Sequence, residues 1–565
     1  MAGSLRISQL TFRAGRAAGD EPLGIAPSNV VVLVGPNNSG KSLALREIED
    51  WCFGQNKVTK VVGAVELDFP DQPDSAIQLL KAFETDPPPD RGPAPDTLWI
   101  GQPIFREGEA ARYLAINTND LRNAVTDRSE GNLRLWLTAS YTVRLDGRTR
   151  FSLADPKPTG DLQQHPQNHL WALFRDDAAR ARVRKLTEEA FGLHFVIDPT
   201  GMRNFRIRMS TRAPKSKAEE QALDAGARAF HHAAEPIQEL SDGVQAFVGL
   251  VSAVMSLPHK VILIDEPEAF LHPPLARRLG KNLAALSSER DASLIVGTHS
   301  SEFLVGCIEA ADTSVVRLTY EKGAASARNL DALEVAVMTQ DPLLRSTGVL
   351  DALFHRAAVV TEADGDRAFY DEINRRLQLE GRGIRDAVFL NAQNMQTIRR
   401  LVAPLRRIGI PAAAVVDLDL IDEGGASWEE TLTACQVPQA GRPVLETERA
   451  YLSGSFTGIN RSAGRMAMKS RGLRALNGDS LRRGRALLQE LGRYGLFLVP
   501  MGELESWLPQ IGARGHGSDW VVDAFNHMGR APTDANYLTP ASGDVWAFLD
   551  TIAGWVDDPS RLGTT

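Results

Sequence analysis

The chain has 565 residues, 43% of them hydrophobic and 24% charged, a length that exceeds one hydrophobic core and suits two or three globular domains. Its formal net charge of −8 excludes a generally basic nucleic-acid coat but leaves room for a local patch. No run of about 18 apolar residues could span a membrane. Cys52, Cys307 and Cys435 are too scattered for a disulfide framework or a thiolate metal site, and the N-terminus alternates like a first strand, so a cytoplasmic protein without membrane partners is expected.

Val30–Val34 (VVVLV) predicts a short buried strand. It runs into Gly35, Pro36, Asn37, Asn38, Ser39, Gly40, Lys41 and Ser42, then a helical stretch, LALREIEDW. This fits the phosphate-binding pattern G-x-x-x-x-G-K-[ST] in its required strand–loop–helix context. The glycines turn backbone N–H groups toward phosphate oxygens, and the helix N-terminus adds positive potential. Lys41 reaches the β- and γ-phosphates and Ser42 can ligate Mg²⁺.

The next 200 or so residues mix strand patterns (TVRLDGRTRFSL, NFRIRMS) with a polar stretch, Pro214–Ala234. No sustained heptad pattern supports a long coiled coil, and the pair His231-His232 lacks further ligands at metal spacing. Glu239–Phe247 then reads ELSDGVQAF. Lys260–Ile264 (KVILI) predicts a second strand, running into Asp265-Glu266. A strand-end aspartate can hold Mg²⁺, and Glu266 is placed to polarise an attacking water. Ser293–Thr298 predicts a third strand ending at His299, a suitable γ-phosphate sensor.

These motifs resemble ABC-type ATPases, in particular the branch shared by SMC-like and RecF-like DNA-repair ATPases. In that family a Leu-Ser-x-Gly-x-Gln signature faces the γ-phosphate of ATP held by a second protomer. Leu240, Ser241, Gly243 and Gln245 match it, with Asp242 replacing the commoner glycine. The resemblance implies that Glu266 is the catalytic glutamate, His299 the switch histidine and Gln102 (in LWIGQPI) the Q-loop glutamine. It also implies ATP sandwiched between two heads, hence a homodimer or a larger even-numbered assembly. The ATPase region is expected over 1–345, with an insertion at about 66–235, and Thr319–Phe354 as the junction.

From Ala357 the pattern becomes a repeating βα rhythm. Strands are predicted at Ala357–Thr361, Ala387–Asn391 and Pro411–Val416, with helices at Asp366–Leu377 and Met395–Ile408. Such alternation predicts a parallel sheet with functional groups at the C-terminal edge of its strands. Glu362 follows the first strand, and Asp417 and Asp419 follow the third. Carboxylates so close are costly unless a cation sits among them, which points to Mg²⁺ or Mn²⁺. An EF-hand reading of DLDLIDEGG fails because Ile421 occupies a ligand position. A last strand pattern, Gly495–Pro500, leads into Glu503 and Glu505. Between Asp419 and that strand, Arg461–Arg485 collects Arg461, Arg465, Lys469, Arg471, Arg474, Arg482, Arg483 and Arg485 against Asp479 alone.

This arrangement is similar to a TOPRIM domain, the metal-dependent phosphodiester-chemistry fold of topoisomerases, primases and some nucleases. Glu362 and Asp366 match its first acidic element, with Ala363 where glycine is usual. Asp417 and Asp419 match the D-x-D, and Glu505 the later acid. An ABC-type head followed by such a domain (346–565, with a C-terminal helical extension) resembles the overcoming-lysogenization-defect (OLD) family of ATP-dependent endonucleases and related anti-phage ATPase–TOPRIM proteins.

The resemblance implies ATP and Mg²⁺ (or Mn²⁺) as cofactors, metal held by Glu362, Asp366, Asp417, Asp419 and Glu505, and DNA gripped through Arg461–Arg485. It also implies a nuclease gated by nucleotide state, with a companion defence protein as a possible partner. The alternative is an ATPase sensor or scaffold whose TOPRIM-like domain is catalytically dead and recruits a separate effector. A transporter ATPase leaves the acidic domain unexplained, and a topoisomerase or primase lacks its tyrosine domain or zinc ribbon.

Overall fold

The five residues Val30–Val34 are all buried. A β-branched run of this kind suits a strand covered on both faces. In the computed structural model it lies inside a six-stranded sheet ordered Ala324–Asn329, Thr313–Glu321, Val30–Val34, Ser293–Gly297, Val261–Asp265, Thr142–Leu145. The first pair is antiparallel and the others are parallel. The structure describes residues 5–17, 19–55, 57–88, 90–102, 112–147, 149–321, 323–457 and 461–564.

The chain divides into two compact units: Met1–Val34 with Asn38–Asn329, and Leu330–Thr565, with which Gly35–Asn37 is grouped. The division between compact units falls at 329/330, whereas the sequence places the domain boundary at 345/346. The segment after Leu330 folds with the second unit because its acids pair there: Glu334 with Arg407 (3.0 Å to Nη2) and Asp341 with Arg400.

In the first unit, helix Lys41–Cys52 turns Ala44, Leu45, Ile48 and Cys52 inward at helical spacing. They join one core with Val31, Leu33, Leu263 and Ile295. An antiparallel three-stranded sheet, Leu23–Ile25, Arg6–Phe12 and Val62–Asp68, accompanies this core. Helix Asp242–Ser256 is buried continuously from Ala246 to Ser256. Thr142–Leu145 lies within the stretch read as an insertion, yet it pairs with Val261–Ile264 as an edge strand of the central sheet. Four residues flanked by polar turns are too short a pattern to reveal this from sequence.

The second unit is built on a four-stranded, all-parallel sheet ordered Ala387–Asn391, Ala357–Thr361, Ala412–Val416, Leu496–Leu498. Helix Asp364–Leu379 buries Phe369, Tyr370, Ile373 and Leu377. It shares a core with Val359, Val415 and Phe497, which the helices Ser518–Met528 and Asp544–Asp557 complete with Trp520, Trp546 and Leu549. Helix Met395–Arg407, capped by Asn394 accepting from the Thr397 N–H at 2.9 Å, buries Ile398, Leu401, Val402 and Leu405. Among the described residues no helix is long and apolar enough to cross a membrane.

Candidate functional site

Two clusters of chemistry-bearing residues stand at strand C-terminal ends, one in each unit. In the first unit, Gly40 caps helix Lys41–Cys52 at φ 95°, and Asn38 also takes a positive φ of 60°. Ser39 and Lys41 are buried while Asn38 and Ser42 stay exposed. The Lys41 ammonium donates to the Ser39 hydroxyl at 3.2 Å. Gly297 allows the close approach of the neighbouring strand: a Cβ there would lie 3.1 Å from Asp265 Oδ1 and 3.3 Å from Lys41 Cβ.

Asp265 ends strand Val261–Asp265 beside the helix that carries Ser42, and the two side chains hydrogen-bond. Burial pushes the Asp265 carboxyl above its usual range, with Glu266 and Asp146 adding to the rise. Its Oδ1 is buried without a partner. An orphaned carboxylate oxygen next to a serine hydroxyl fits a hard divalent cation.

Glu266 takes a left-handed φ of 49°, its N–H donating to the Gly297 carbonyl at 2.7 Å. His299 Nε2 lies 3.9 Å from Glu266 Oε1, and the His299 N–H donates to Glu268 Oε1 at 2.7 Å. The structure thus brings Lys41, Ser42, Asp265, Glu266 and His299 together in one place. Gln102 ends strand Thr97–Gln102, and its side chain lies outside the described residues. The signature residues sit at the start of helix Asp242–Ser256, where Ser241 and Asp242 are exposed. Gly243 is required there because a Cβ would meet the Phe270 carbonyl at 2.8 Å.

Sequence reasoning missed two participants. Glu268 holds the His299 backbone, and burial raises its carboxyl pKa. Arg150 is 2% exposed and donates to the carbonyl oxygens of Asp265 (3.1 Å), Glu266 and Ala269 (3.3 Å). Burial lowers its pKa, while the carboxylates of Glu268, Glu266, Asp265 and Asp146 sustain its charge. An arginine inside an unassigned stretch gave no motif signal. Only the edge strand Thr142–Leu145 brings it here.

In the second unit the acids converge on the edge of the parallel sheet. The Asp417 N–H donates to Glu362 Oε1 at 2.9 Å, which ties the third strand's end to the first. The Ala363 N–H donates to Asp366 Oδ2 at 3.1 Å, fixing Asp366 in the first turn of its helix. Burial pushes Glu362 up to about 7, helped by Asp419, Asp366 and Glu423 against the pull of the Asp417 N–H. It pushes Asp366 up to about 6, with Glu505 adding. Asp417 rises to about 9 through burial and then Glu362, Asp366 and Asp419. Buried like charges disfavour ionisation in this way until a cation compensates them.

Lys469 supplies one compensating charge, 2.5 Å from Glu503 and 3.7 Å from Asp419. Glu505 turns elsewhere, toward the Gly517 N–H (2.7 Å) and His516 (2.6 Å). Among the described residues, no group of three or more His, Cys, Asp and Glu side chains is gathered closely enough to hold a metal ion as it stands. The expected five-residue ligand set is therefore not preassembled. Glu362 and Asp366 each spend an oxygen on a backbone N–H, and the Lys469 ammonium takes up Glu503 and Asp419. The donor set, all carboxylates around one sheet edge with Glu362, Asp366 and Asp417 held at raised pKa values, nonetheless matches the ligands that hard divalent cations prefer.

The arginine-rich segment does not form a single free face. Arg483 makes a two-pronged pair with Glu448 (2.8 Å each) and stacks on Tyr451, 3.4 Å from its ring centroid. Arg482 pairs with Asp479 at 2.5 Å while remaining 77% exposed. The side chains of Arg461 and Arg465 lie outside the described residues.

Residues 209–305, which span the signature, Asp265, Glu266 and His299, match the family described as "AAA domain, putative AbiEii toxin, Type IV TA system". The chain is 33% identical over 138 residues to the lipoprotein-releasing system ATP-binding protein LolD 2 of Chlorobaculum tepidum, covering 23% of this chain and 54% of that protein. It is 28% identical over 194 residues to LolD 1 of Chlorobium luteolum, covering 32% of this chain and 80% of that one. It thus spans about half the length of the first of these relatives.

Among solved structures, an SMC head bound to the C-winged helix domain of ScpA aligns at 14% identity and a TM-score of 0.34, over 58% of this chain and 99% of that one. The SMC head domain from Thermotoga maritima aligns at 17% and 0.29, over 58% and 100%. The motif geometry and the sequence matches give the first unit the α/β fold and motif set of a P-loop ATPase domain, with residues 209–305 similar to the AAA family.

Proposed function

We propose that the chain is an ATP-dependent, divalent-metal-dependent DNA endonuclease of the OLD type, acting in bacterial anti-phage defence. The second unit is read as its TOPRIM-like nuclease domain. The observation that carries this reading is the meeting of Glu362 and Asp417 through a 2.9 Å hydrogen bond at the C-terminal edge of the parallel sheet, with Asp366 and Asp419 among the charges that raise their pKa values.

Glu362, Asp366, Asp417 and Asp419 would hold Mg²⁺ or Mn²⁺, with Glu505 reached by rotation away from His516. A cation there supplies Lewis acidity for phosphodiester hydrolysis. The chain's own groups prepare the site. Burial keeps the acids short of charge until a cation arrives, and Lys469 offers an ammonium to a substrate phosphate once the carboxylates are otherwise engaged. The exposed cations of the Arg461–Arg485 segment would add salt-dependent, sequence-independent grip on DNA.

In the first unit, Lys41 and the loop N–H groups would hold the phosphates, Ser42 and Asp265 the Mg²⁺, Glu266 the attacking water and His299 the γ-phosphate. Ser241 and Gly243 are exposed or half-exposed at a helix start, available to ATP on a second copy of the chain. Hydrolysis would then change how two heads sit together and so gate the nuclease.

Cleavage of supercoiled and linear DNA with Mg²⁺ or Mn²⁺, with and without ATP, tests the proposal. Cutting by wild type that is lost in both Glu362→Ala and Asp417→Ala supports it. Cutting that survives either substitution, or that ignores ATP and Lys41→Ala alike, contradicts the site or the gate respectively. A second reading, an ATPase scaffold with an inactive TOPRIM-like domain, is favoured by one observation: the ammonium of Lys469 already sits between Glu503 and Asp419. Intact ATP hydrolysis with no cutting under any of these conditions selects that reading.

A further inference from the structure

The second unit contains a cavity of about 750 Å³ lined by helices Gly478–Arg493 and Asp544–Asp557, strand Leu496–Leu498 and the segment around Ser560–Leu562. That volume lies within the range of small-molecule sites. Neither the ATPase motifs nor the acidic cluster uses any of these residues.

One part of the lining is apolar and largely aromatic, with Leu473, Phe497, Leu498, Phe548 and Trp555. Trp555 is held in place from several sides. Its indole N–H is shared between the carbonyls of Arg493 (3.1 Å) and Leu562 (3.2 Å). The guanidinium of Arg406, fully buried and donating to the carbonyls of Ala412, Cys435 and Gly495, stacks 5.2 Å from its ring centroid. An aromatic wall fixed in advance costs a ligand little ordering entropy.

The polar lining has an excess of positive charge. Arg485, Arg493 and Arg561 face a single carboxylate, Asp558. Asp558 is already committed, accepting from the Ser560 N–H (2.8 Å) and hydroxyl (2.7 Å), and these bonds hold its carboxyl below the usual range. Arg493 shares its charge with Glu490 at 2.9 Å. Arg485 is exposed and makes no ion pair with a described residue.

Two glycines, Gly492 and Gly554, belong to the lining. Thr551, Gly554, Trp555 and Asp558 fall on one face of their helix at i, i+3, i+4 and i+7. A Cβ added at Gly554 would meet nothing within 4 Å. Glycine inside a helix is a poor choice for stability, and the exposed Gly554 leaves open space beside the lining.

We propose that this cavity is a binding site for a small, flat, apolar molecule carrying one or two acidic groups, its ring system against Trp555 and Phe548 and its acid toward Arg485. The full-length chain is titrated by fluorescence with 1-anilinonaphthalene-8-sulfonate and, separately, with N-phenyl-1-naphthylamine, which has closely similar rings and no charge. The sulfonate saturates one site per chain. Gly554→Leu, which fills the cavity and improves the helix, weakens it by more than about tenfold while the melting temperature holds or rises. Arg485→Glu weakens the sulfonate and leaves the neutral amine unchanged. If Gly554→Leu lowers the melting temperature, Thr551→Phe on the same face replaces it. The site is refuted if wild type shows no saturable binding, if the filling variant binds the sulfonate as wild type does, or if the neutral amine binds as tightly as the anion.

Discussion

Arg150 donates through Nη2 to the main-chain oxygens of both Asp265 and Glu266, so one buried guanidinium holds the strand end that presents both carboxylates of the candidate phosphate site. Glu266 sits there at φ 49°, a conformation that costs a non-glycine residue about 1 to 3 kcal/mol and persists only where its surroundings impose it. The third bond, to Ala269, closes the turn that follows.

Arg150→Met removes these donors and frees the turn. A displacement of order 1 Å in a catalytic group can cost about 10²-fold in rate. We therefore expect kcat for ATP hydrolysis to fall about that much, with KM within about threefold of wild type because Lys41 and the phosphate loop are untouched. Arg150→Lys, which keeps a charge and some donors, should recover part of the rate. A parallel collapse of KM and melting temperature in both variants would make Arg150 merely structural.

Glu266 lies 3.9 Å from His299 Nε2, close to Asp265 but exposed. Glu266→Gln keeps the shape and removes the charge that would orient water. Hydrolysis should fall by at least about 10²-fold, in the range general-base removal usually costs, with ATP affinity unchanged by equilibrium dialysis. Unimpaired turnover would assign the base elsewhere, and Glu268, which holds the His299 backbone, is the next acid to test.

The parts of the fold legible in the sequence were those whose signal is local. Val30–Val34, Ala357–Thr361 and Ala387–Asn391 occupy the spans their apolar runs predict, and strands Val261–Asp265 and Ala412–Val416 differ by a residue at one or both ends. Helix Asp364–Leu379 begins two residues earlier than the pattern suggested, because Asp366 accepts from the Ala363 N–H and so caps the turn that contains it.

What depended on distant pairing was not legible. Thr142–Leu145 is four residues, and nothing local announces that it will flank Val261–Ile264 and deliver Arg150 to the site. Charge counting likewise could not separate Lys469, which turns to Glu503 and Asp419, or Arg483, which is bound to Glu448, from the arginines left in solvent.

The acidic edge of the second unit should respond to metal through stability as well as activity. Burial and the nearby charges of Asp366 and Asp419 raise the pKa values of Glu362 and Asp417, so a bound cation relieves this repulsion and stabilises the folded state by mass action. Millimolar Mg²⁺ or Mn²⁺, added after EDTA treatment and without nucleotide, should raise the melting temperature of Lys41→Ala, a background that weakens the phosphate site. The rise should vanish in the triple variant Lys41→Ala, Glu362→Gln, Asp417→Asn. An equal rise in both proteins would place the responsive cation away from this edge.

Acid should destabilise the first unit through its buried histidines. His169 is 0% exposed and donates from Nε2 to the Leu153 carbonyl at 2.8 Å. Burial, with Lys157 adding, pushes its pKa from 6.5 down to about 3. His259 falls to about 3 through burial and then the nearby Arg290. Both are neutral when folded and take up a proton below 6.5 when unfolded. Unfolding therefore binds more protons between these values, so their contribution is complete above 6.5 and is lost as the pH falls toward 3, with a slope of up to about 1.4 kcal/mol per pH unit for each. His169→Gln keeps a donor for Leu153 and removes one titration. Urea unfolding at pH 7.5, 6.5 and 5.5 should show wild type losing stability more steeply across the lower interval than the variant, by about one proton. Matching slopes would show that His169 is not held neutral by its burial.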